Sequence, residues 1–200
     1  GQWLRTKAFP LMKAVADFWV SRVTRNDDGS YSICNVVGAD EYANGVDDNA
    51  FTNGAAIRAL EYACEAARIC NEPVPEIWKE VGKGIRILRF KDGVTREHAT
   101  YNGEMIKQAD VNLLGYPLYF VGDAESQKKD MEYYVDKIDP QNGPAMSYSV
   151  FCVQYARMGD AKRAYEMFCR CYQPNLRAPF GVLAETPTSD NPYFMTGAGG

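Results

Sequence analysis

Apolar side chains recur at every third or fourth position along most of this 200-residue chain. That spacing places them on one face of an α-helix, which completes a turn in about 3.6 residues. Polar or proline-containing runs separate the periodic segments, as at Asn26–Ser30, Asn71–Pro73 and Asp139–Pro140. Helices are therefore predicted in seven segments: residues 11–23, 51–67, 75–88, 108–120, 126–138, 145–157 and 161–172.

Two all-α architectures accommodate these helices: an open array of helical repeats and a closed α/α toroid. The run Gly159–Tyr165 has the small residues of tetratricopeptide helices, but such an array repeats about every 34 residues, and no such self-similarity is present. The long loops, residues 24–46, 89–107 and 173–200, hold the unusual residues, as loops at one end of a toroid would. We therefore predict a single domain, residues 1–200, that is a toroid of helical hairpins.

Composition excludes several classes of function. The net charge is −4 and no Lys/Arg-rich run occurs, which argues against a nucleic-acid partner. No apolar run approaches the roughly 20 residues that a membrane span requires. The six cysteines lack the spacing of a metal site and are interpreted as free thiols packed like small hydrophobic residues. Neither a cofactor nor a metal site is predicted, and the compartment is left open.

The first candidate site is the segment 38–53, which reads GADEYANGVDDNAFTN. Glu41 lies there at a Gly-rich turn among amide and carboxylate side chains, just before an apolar-periodic helix. A polyhydroxyl ligand needs many short donors and acceptors around one acid. The simpler alternative is a polar loop in which Asp48 or Asn49 caps the next helix.

Two later segments favour the ligand. Lys107 and Gln108 precede a strongly apolar stretch, and we expect them at the first turn of a helix with both side chains directed into a pocket. Their placement is unusual, because Lys prefers the C-terminal end of a helix dipole. Glu185 lies in the segment 181–200, again alone among small, apolar and Asx residues. Its alternative interpretation is an ordinary exposed loop acid.

Together these segments resemble glycoside hydrolase family 65. The family's Gly-Pro-Asx-Glu-Tyr segment, its Asn-rich run and its Tyr-Thr-Asn match residues 38–53, with Ala39 in place of Pro and Phe51 in place of Tyr. Its Lys-Gln-Ala-Asp-Val is present unaltered at residues 107–111. The resemblance extends from the Ala16–Trp19 helix to the terminal Thr-Gly-Ala-Gly-Gly.

The resemblance implies an (α/α)6 barrel that acts on α-glucosides. It implies that Glu41 is the general acid and that Lys107 and Gln108 hold hydroxyls of the glucosyl unit. Further candidate sugar-binding residues in the first segment are Asp40, Tyr42 and Asn49. The family's upstream Trp-Asp element has no match. We therefore expect an incomplete, later part of the barrel, with a missing N-terminal part of the same polypeptide completing the glucose site.

The family contains disaccharide phosphorylases and a smaller branch of hydrolases. Its phosphorylases use a His-x-Ser-Ser/Thr-Leu loop and a second His, whereas this chain has Gly143–Ser147 at the first place and His98 as its only histidine. A hydrolase instead needs a carboxylate to deprotonate water, about 6.5–9.5 Å from the acid. Glu185 is the candidate base, so an inverting α-glucosidase is favoured. A phosphorylase with a rebuilt phosphate site and a non-enzymatic helical binding module are the alternatives.

Overall fold

The fold was analysed in a computed structural model, which describes residues 1–120, 123–189, 191, 193 and 194. The described residues are mainly helical, as predicted. Six α-helices are present among them: α1 Phe9–Arg22, α2 Ala50–Cys70, α3 Glu76–Gly84, α4 Ala124–Tyr134, α5 Met146–Arg157 and α6 Ala161–Arg170. A π-helical segment, Leu4–Ala8, leads into α1, and 3₁₀ turns occur at Val111–Leu114 and Gln173–Asn175.

Helix α2 is the longest element and contacts α1, α3 and the 3₁₀ turn. It begins where the Asn49 side chain accepts a hydrogen bond from Thr52 N at 2.9 Å, and it ends at Asn71 in the left-handed conformation, with φ +56°. Five of its eleven buried residues are alanine, which permits close packing. A Cβ at Gly54 would collide with Leu114 of the 3₁₀ turn, so glycine is what allows that approach.

Three predicted helices differ from the observed ones. The third ends at Gly84 instead of Leu88, because Ile85 leaves the helix to pair with Tyr31. The fifth ends at Tyr134 instead of Ile138, because Ile138 pairs with Ile106. The segment 108–120 forms only a 3₁₀ turn. In the first two cases, main-chain pairing with a distant segment replaces helical hydrogen bonds, and apolar spacing alone does not reveal such pairing.

Four short strands form two hairpins outside the helices. Strand β1, Thr24–Arg25, pairs antiparallel with β2, Tyr31–Ser32. Strand β3, Leu176–Arg177, pairs antiparallel with β4, Val182–Leu183. The second hairpin immediately precedes Glu185, so it fixes the position of that part of the chain.

Two hydrophobic clusters form the core. One surrounds Trp78 and Leu60 between α1, α2 and α3, and the Trp78 indole N–H donates to Asp17 of α1 at 2.9 Å. The other surrounds Phe151 and Tyr134 between α4, α5, α6 and the 3₁₀ turn. Phe120 packs against both clusters and joins them. None of the helices in the described ranges is both long and apolar enough to cross a lipid bilayer.

Candidate active site

The loop of residues 38–42, here called the acid loop, is held in place by hydrogen bonds to the Asp110 carboxylate. One Asp110 carboxylate oxygen accepts hydrogen bonds from Ala39 N at 2.8 Å, Asp40 N at 3.3 Å and the Asn49 side-chain amide at 3.0 Å. A Cβ at Gly38 would overlap this carboxylate. Complete burial raises the pKa of Asp110 to about 6. The loop therefore rests on an internal acceptor that lies about 70 residues away in the sequence.

Asp40 forms the next layer of support. Its side chain is buried and accepts hydrogen bonds from Lys107 N at 2.7 Å and Tyr42 N at 3.2 Å. Burial raises the pKa of Asp40, and these hydrogen bonds oppose the rise. Asp40 thus connects the acid loop to the segment that carries Lys107.

Glu41 is the solvent-exposed acid of this loop, with 57% of its side chain exposed. It forms an ion pair with the Lys107 ammonium. The pKa of Lys107 is raised, first by its hydrogen bond to Glu41 and further by the negative charges of Glu41 and Glu185. The charge of Glu185 therefore acts on the same amine that binds Glu41. Lys107 is thus paired with Glu41 and lies within electrostatic range of Glu185.

The prediction that Lys107 and Gln108 open a helix is wrong. Both lie in a bend before the 3₁₀ turn, because Lys107 N is bonded to Asp40 and the main chain there follows the acid loop. Gln108 is nevertheless directed at the acid loop, where its side-chain amide donates to Ala39 O. Lys107 and Gln108 therefore both contact the acid loop, although the main chain at these residues is not helical.

Tyr42 connects the acid loop to a third segment, residues 139–142. Its ring is half exposed, and its hydroxyl donates to an Asp139 carboxylate oxygen at 2.8 Å. Hydrogen bonds from Asn142 N and Gln141 N, together with the Tyr42 hydroxyl, lower the pKa of Asp139 to about 2. Asp139 is therefore a carboxylate at any pH above strong acid, and it holds the tyrosine in place.

Glu185 is half-buried in the loop of residues 184–189, here called the Glu185 loop. Hydrogen bonds from other segments hold this loop in place. The buried Asn175 side chain donates to Glu185 O at 3.0 Å, and Arg177 donates to Thr186 O at 3.1 Å and to Pro187 O at 2.7 Å. The Thr188 hydroxyl donates to Gln141 O at 3.0 Å. Segment 139–142 thus contacts both the acid loop and the Glu185 loop. Of the terminal segment 181–200, residues 190, 192 and 195–200 lie outside the described residues.

Asn49 was predicted as a sugar-binding residue, but the structure places it beneath the loop. It is completely buried, its oxygen accepts from Thr52 N and its amide donates to Asp110. Both polar ends of the side chain are therefore already engaged in folding the site. Asp40 is likewise buried, whereas Tyr42 remains accessible.

Several residues that support the site were not singled out in the sequence: Asp110, Asp139, Asn175 and Arg177. Asp110 was visible within the Lys-Gln-Ala-Asp-Val segment, two residues beyond Gln108, and that adjacency was the one available signal. The others contact the site only through tertiary structure. A cavity of about 280 Å³ lies beside the acid loop, lined in part by Asp40, Tyr42, His98, Thr100 and Glu104.

The chain was compared with known protein families, curated proteins and solved structures. Residues 1–87 match the family described as "Glycosyl hydrolase family 65 central catalytic domain". The kojibiose hydrolase of Mucilaginibacter mallensis is 50% identical over 100% of this chain and 29% of that protein. The protein-glucosylgalactosylhydroxylysine glucosidase of Dictyostelium discoideum is 38% identical over 99% of this chain and 28% of that protein. The chain thus spans less than a third of the length of these relatives.

A solved structure titled "Putative kojibiose phosphorylase from human microbiome" shares the fold. It aligns with a TM-score of 0.68 at 18% identity and covers 85% of this chain and 28% of that chain. The all-α prediction is confirmed, and the helices correspond to part of an (α/α)6 barrel. From the family match and from identities that extend over the whole sequence, we conclude that this chain belongs to glycoside hydrolase family 65.

Proposed function

We propose that this chain carries the catalytic acids of an inverting glycoside hydrolase that removes glucose from an α-linked disaccharide or a glucosyl-galactosyl unit. The observation that carries the proposal is the Lys107 ammonium, which binds Glu41 and also feels the charge of Glu185. An inverting mechanism requires two carboxyl groups on opposite faces of the sugar, and Glu41 and Glu185 lie on separate loops that both interact with Lys107.

In this mechanism Glu41 protonates the departing glycosidic oxygen. The Lys107 ammonium binds Glu41, whereas a general acid must be free to face the glycosidic oxygen. We infer that hydroxyls of the bound glucosyl unit take over the Lys107 ammonium, so that Glu41 is released to act on the departing oxygen. Gln108 holds the same part of the loop by donating one amide N–H to Ala39 O, and we propose that its second N–H binds the sugar.

Glu185 serves as the base in this proposal. As a carboxylate it removes a proton from a water molecule while that water attacks the anomeric carbon from the face opposite Glu41. The two carboxyl groups are expected to be about 6.5–9.5 Å apart when the sugar is bound, which leaves room for the water. The contacts of Asn175 and Arg177 with the Glu185 loop support a fixed position for this base.

Hydrolysis is favoured over phosphorolysis by the surroundings of His98. A phosphate nucleophile needs cationic and hydroxyl donors. His98 instead lies beside Thr100, its ring Nδ1 is 3.2 Å from the Thr100 hydroxyl, and burial lowers its pKa. A neutral imidazole is a poor partner for a dianion. The relatives named kojibiose hydrolase and glucosidase support the same choice, and they point to an α-1,2-linked glucoside.

We further propose that residues 1–200 are one part of a longer catalytic domain whose remaining helices complete the glucose site. A non-catalytic helical module would not need two acid-bearing loops that share a lysine and a supporting segment. On its own, the 200-residue chain is expected to be inactive, since it lacks the family's Trp-Asp element.

The decisive experiment uses the full-length polypeptide that carries this sequence. In phosphate-free buffer it should cleave kojibiose and release β-glucose first, as followed by proton NMR. Glu185→Gln should lower kcat by at least about 10³-fold, because an amide accepts no proton from water. Glu41→Gln should reduce kojibiose cleavage strongly and α-glucosyl fluoride cleavage much less, because fluoride departs without protonation. Cleavage that requires phosphate and yields β-glucose 1-phosphate would contradict the hydrolase.

A further inference from the structure

Glu97 is a buried carboxyl group that the mechanism above does not use. Its side chain is 0% exposed, and neither carboxyl oxygen has a hydrogen-bond donor among the described residues. Only its main chain is paired, with Ala50 N donating to Glu97 O at 2.7 Å. A buried carboxylate without any donor is strongly unfavourable, so the group requires another explanation.

The explanation lies in its neighbours, two of which are acids of the site. Glu97 and Asp40 lie within hydrogen-bonding range of each other, and the charge of Asp110 also acts on Glu97. The other titratable groups that face Glu97 are Glu104, Tyr101, Tyr134 and His98. Burial lowers the pKa of His98 and so disfavours the one cationic form that these groups could supply. Two carboxyl groups in contact in such a place share one proton.

The proton belongs on Glu97. Asp40 accepts main-chain hydrogen bonds from Lys107 and Tyr42, which stabilise its ionised form, whereas Glu97 accepts none. The pKa of Glu97 is raised to about 10, first by burial and then by the charges of Asp110 and Asp40. A protonated Glu97 has an O–H group to donate to Asp40, and this bond gives one of its two carboxyl oxygens a partner.

We propose that Glu97 is a positioning residue for Glu41: a neutral carboxylic acid whose hydroxyl donates to the Asp40 carboxylate and thereby holds the acid loop and Lys107 in register. The catalytic consequence of this role rests on the proposed hydrolase function. Without this donor, the Asp40 carboxylate is under-solvated in the interior and turns or takes up a proton. Lys107 N and Tyr42 N then lose their common acceptor, and Glu41 loses its fixed position.

One test uses the stability of the full-length polypeptide. A carboxyl whose folded pKa is raised stabilises the fold fully below its unfolded value of 4.5 and loses that contribution as pH rises toward about 10. Glu97→Gln keeps a donor and has no proton to lose. Its melting temperature should therefore exceed that of the wild type by more than about 4 °C at pH 9, with the difference shrinking toward pH 5. A difference independent of pH would overturn the neutral-acid assignment.

The second test compares Glu97→Gln with Glu97→Leu, which has similar volume and no donor. Glu97→Leu should lower kcat/KM for kojibiose by about 10²-fold and for α-glucosyl fluoride by less than about 5-fold, because only the disaccharide depends on protonation by Glu41. Glu97→Gln should stay within about 5-fold of wild type on both. Asp130→Asn is the control, because Asp130 is a buried carboxyl group elsewhere, in α4. This variant should change kcat/KM by the same factor for both substrates.

The outcomes distinguish the two proposals. A wild-type polypeptide that cleaves neither substrate would overturn the hydrolase itself. An active wild type with equal losses on both substrates in Glu97→Leu would leave the hydrolase standing and overturn the positioning role. The stability measurement requires no activity, so the protonation state of Glu97 is tested in either case.

Discussion

At the scale of single residues, Asp110 is the acceptor on which the acid loop depends. Asp110→Asn keeps the volume but directs an amide at three N–H donors, from Ala39, Asp40 and Asn49. The free energy of unfolding should fall by about 1–3 kcal/mol, as for other buried groups left without a partner. Asp136→Asn is the matched control, because Asp136 is exposed, and it should change that free energy by less than about 0.5 kcal/mol. Equal effects in urea unfolding would contradict this role.

The sequence singled out Glu41, Lys107 and Glu185 more readily than the residues that support their loops. Glu41, Lys107 and Glu185 stand out because an acid or a lysine among small and Asx residues is unusual. Asp110 and Glu97 do not, because a carboxyl in a loop looks the same whether it is solvated or buried. Their burial is decided by contacts with segments 50 to 70 residues away, which no local pattern records.

At the scale of elements, the packing of α2 against the 3₁₀ turn makes an unusual demand on one glycine. Gly→Ala within a helix ordinarily raises stability by about 0.5–1 kcal/mol. At Gly54, however, the added methyl would overlap Leu114, so Gly54→Ala should instead lower the free energy of unfolding by about 1–3 kcal/mol.

Gly82→Ala in α3 provides the matched comparison. Its added Cβ would lie 3.4 Å from the Leu60 Cβ, an ordinary contact, so this variant should be neutral or slightly stabilised. Thermal unfolding of both variants side by side is the measurement. A stabilised Gly54→Ala would show that Leu114 moves aside easily and that the two elements are not closely fitted.

Periodicity predicted α2, α5 and α6 to within a few residues because each buries a continuous apolar face. It overextended α3 and α4, and it took the 3₁₀ turn for a helix. Residues 85 and 138 are apolar at helical spacing, yet they are buried through pairing with Tyr31 and Ile106. Apolar spacing predicts that a residue is buried, and a second signal is needed to predict which main-chain partner it has.

At the scale of the whole molecule, the buried acids set the pH dependence of stability. Asp110, with its pKa raised from 3.8 to about 6, and Glu97, raised from 4.5 to about 10, lose stabilisation as pH rises through those ranges. Asp139, lowered from 3.8 to about 2, loses it as pH falls through that range. The lowered pKa of His98 opposes the first trend, but it is a single group.

The free energy of unfolding should therefore be greatest near pH 4–5 and fall toward pH 8. Urea unfolding of the full-length polypeptide at a series of pH values measures this directly. A maximum at or above pH 7 would mean that the interior carboxyls are ionised and paired with groups outside the described residues.

Segment 139–142 receives one side-chain hydrogen bond from each of the two acid-bearing loops, from Tyr42 and from Thr188. Segment 139–142 therefore links the two loops mechanically. We therefore expect a displacement of this segment to shift the two loops together. The distance between the two loops should then change less than the position of either loop.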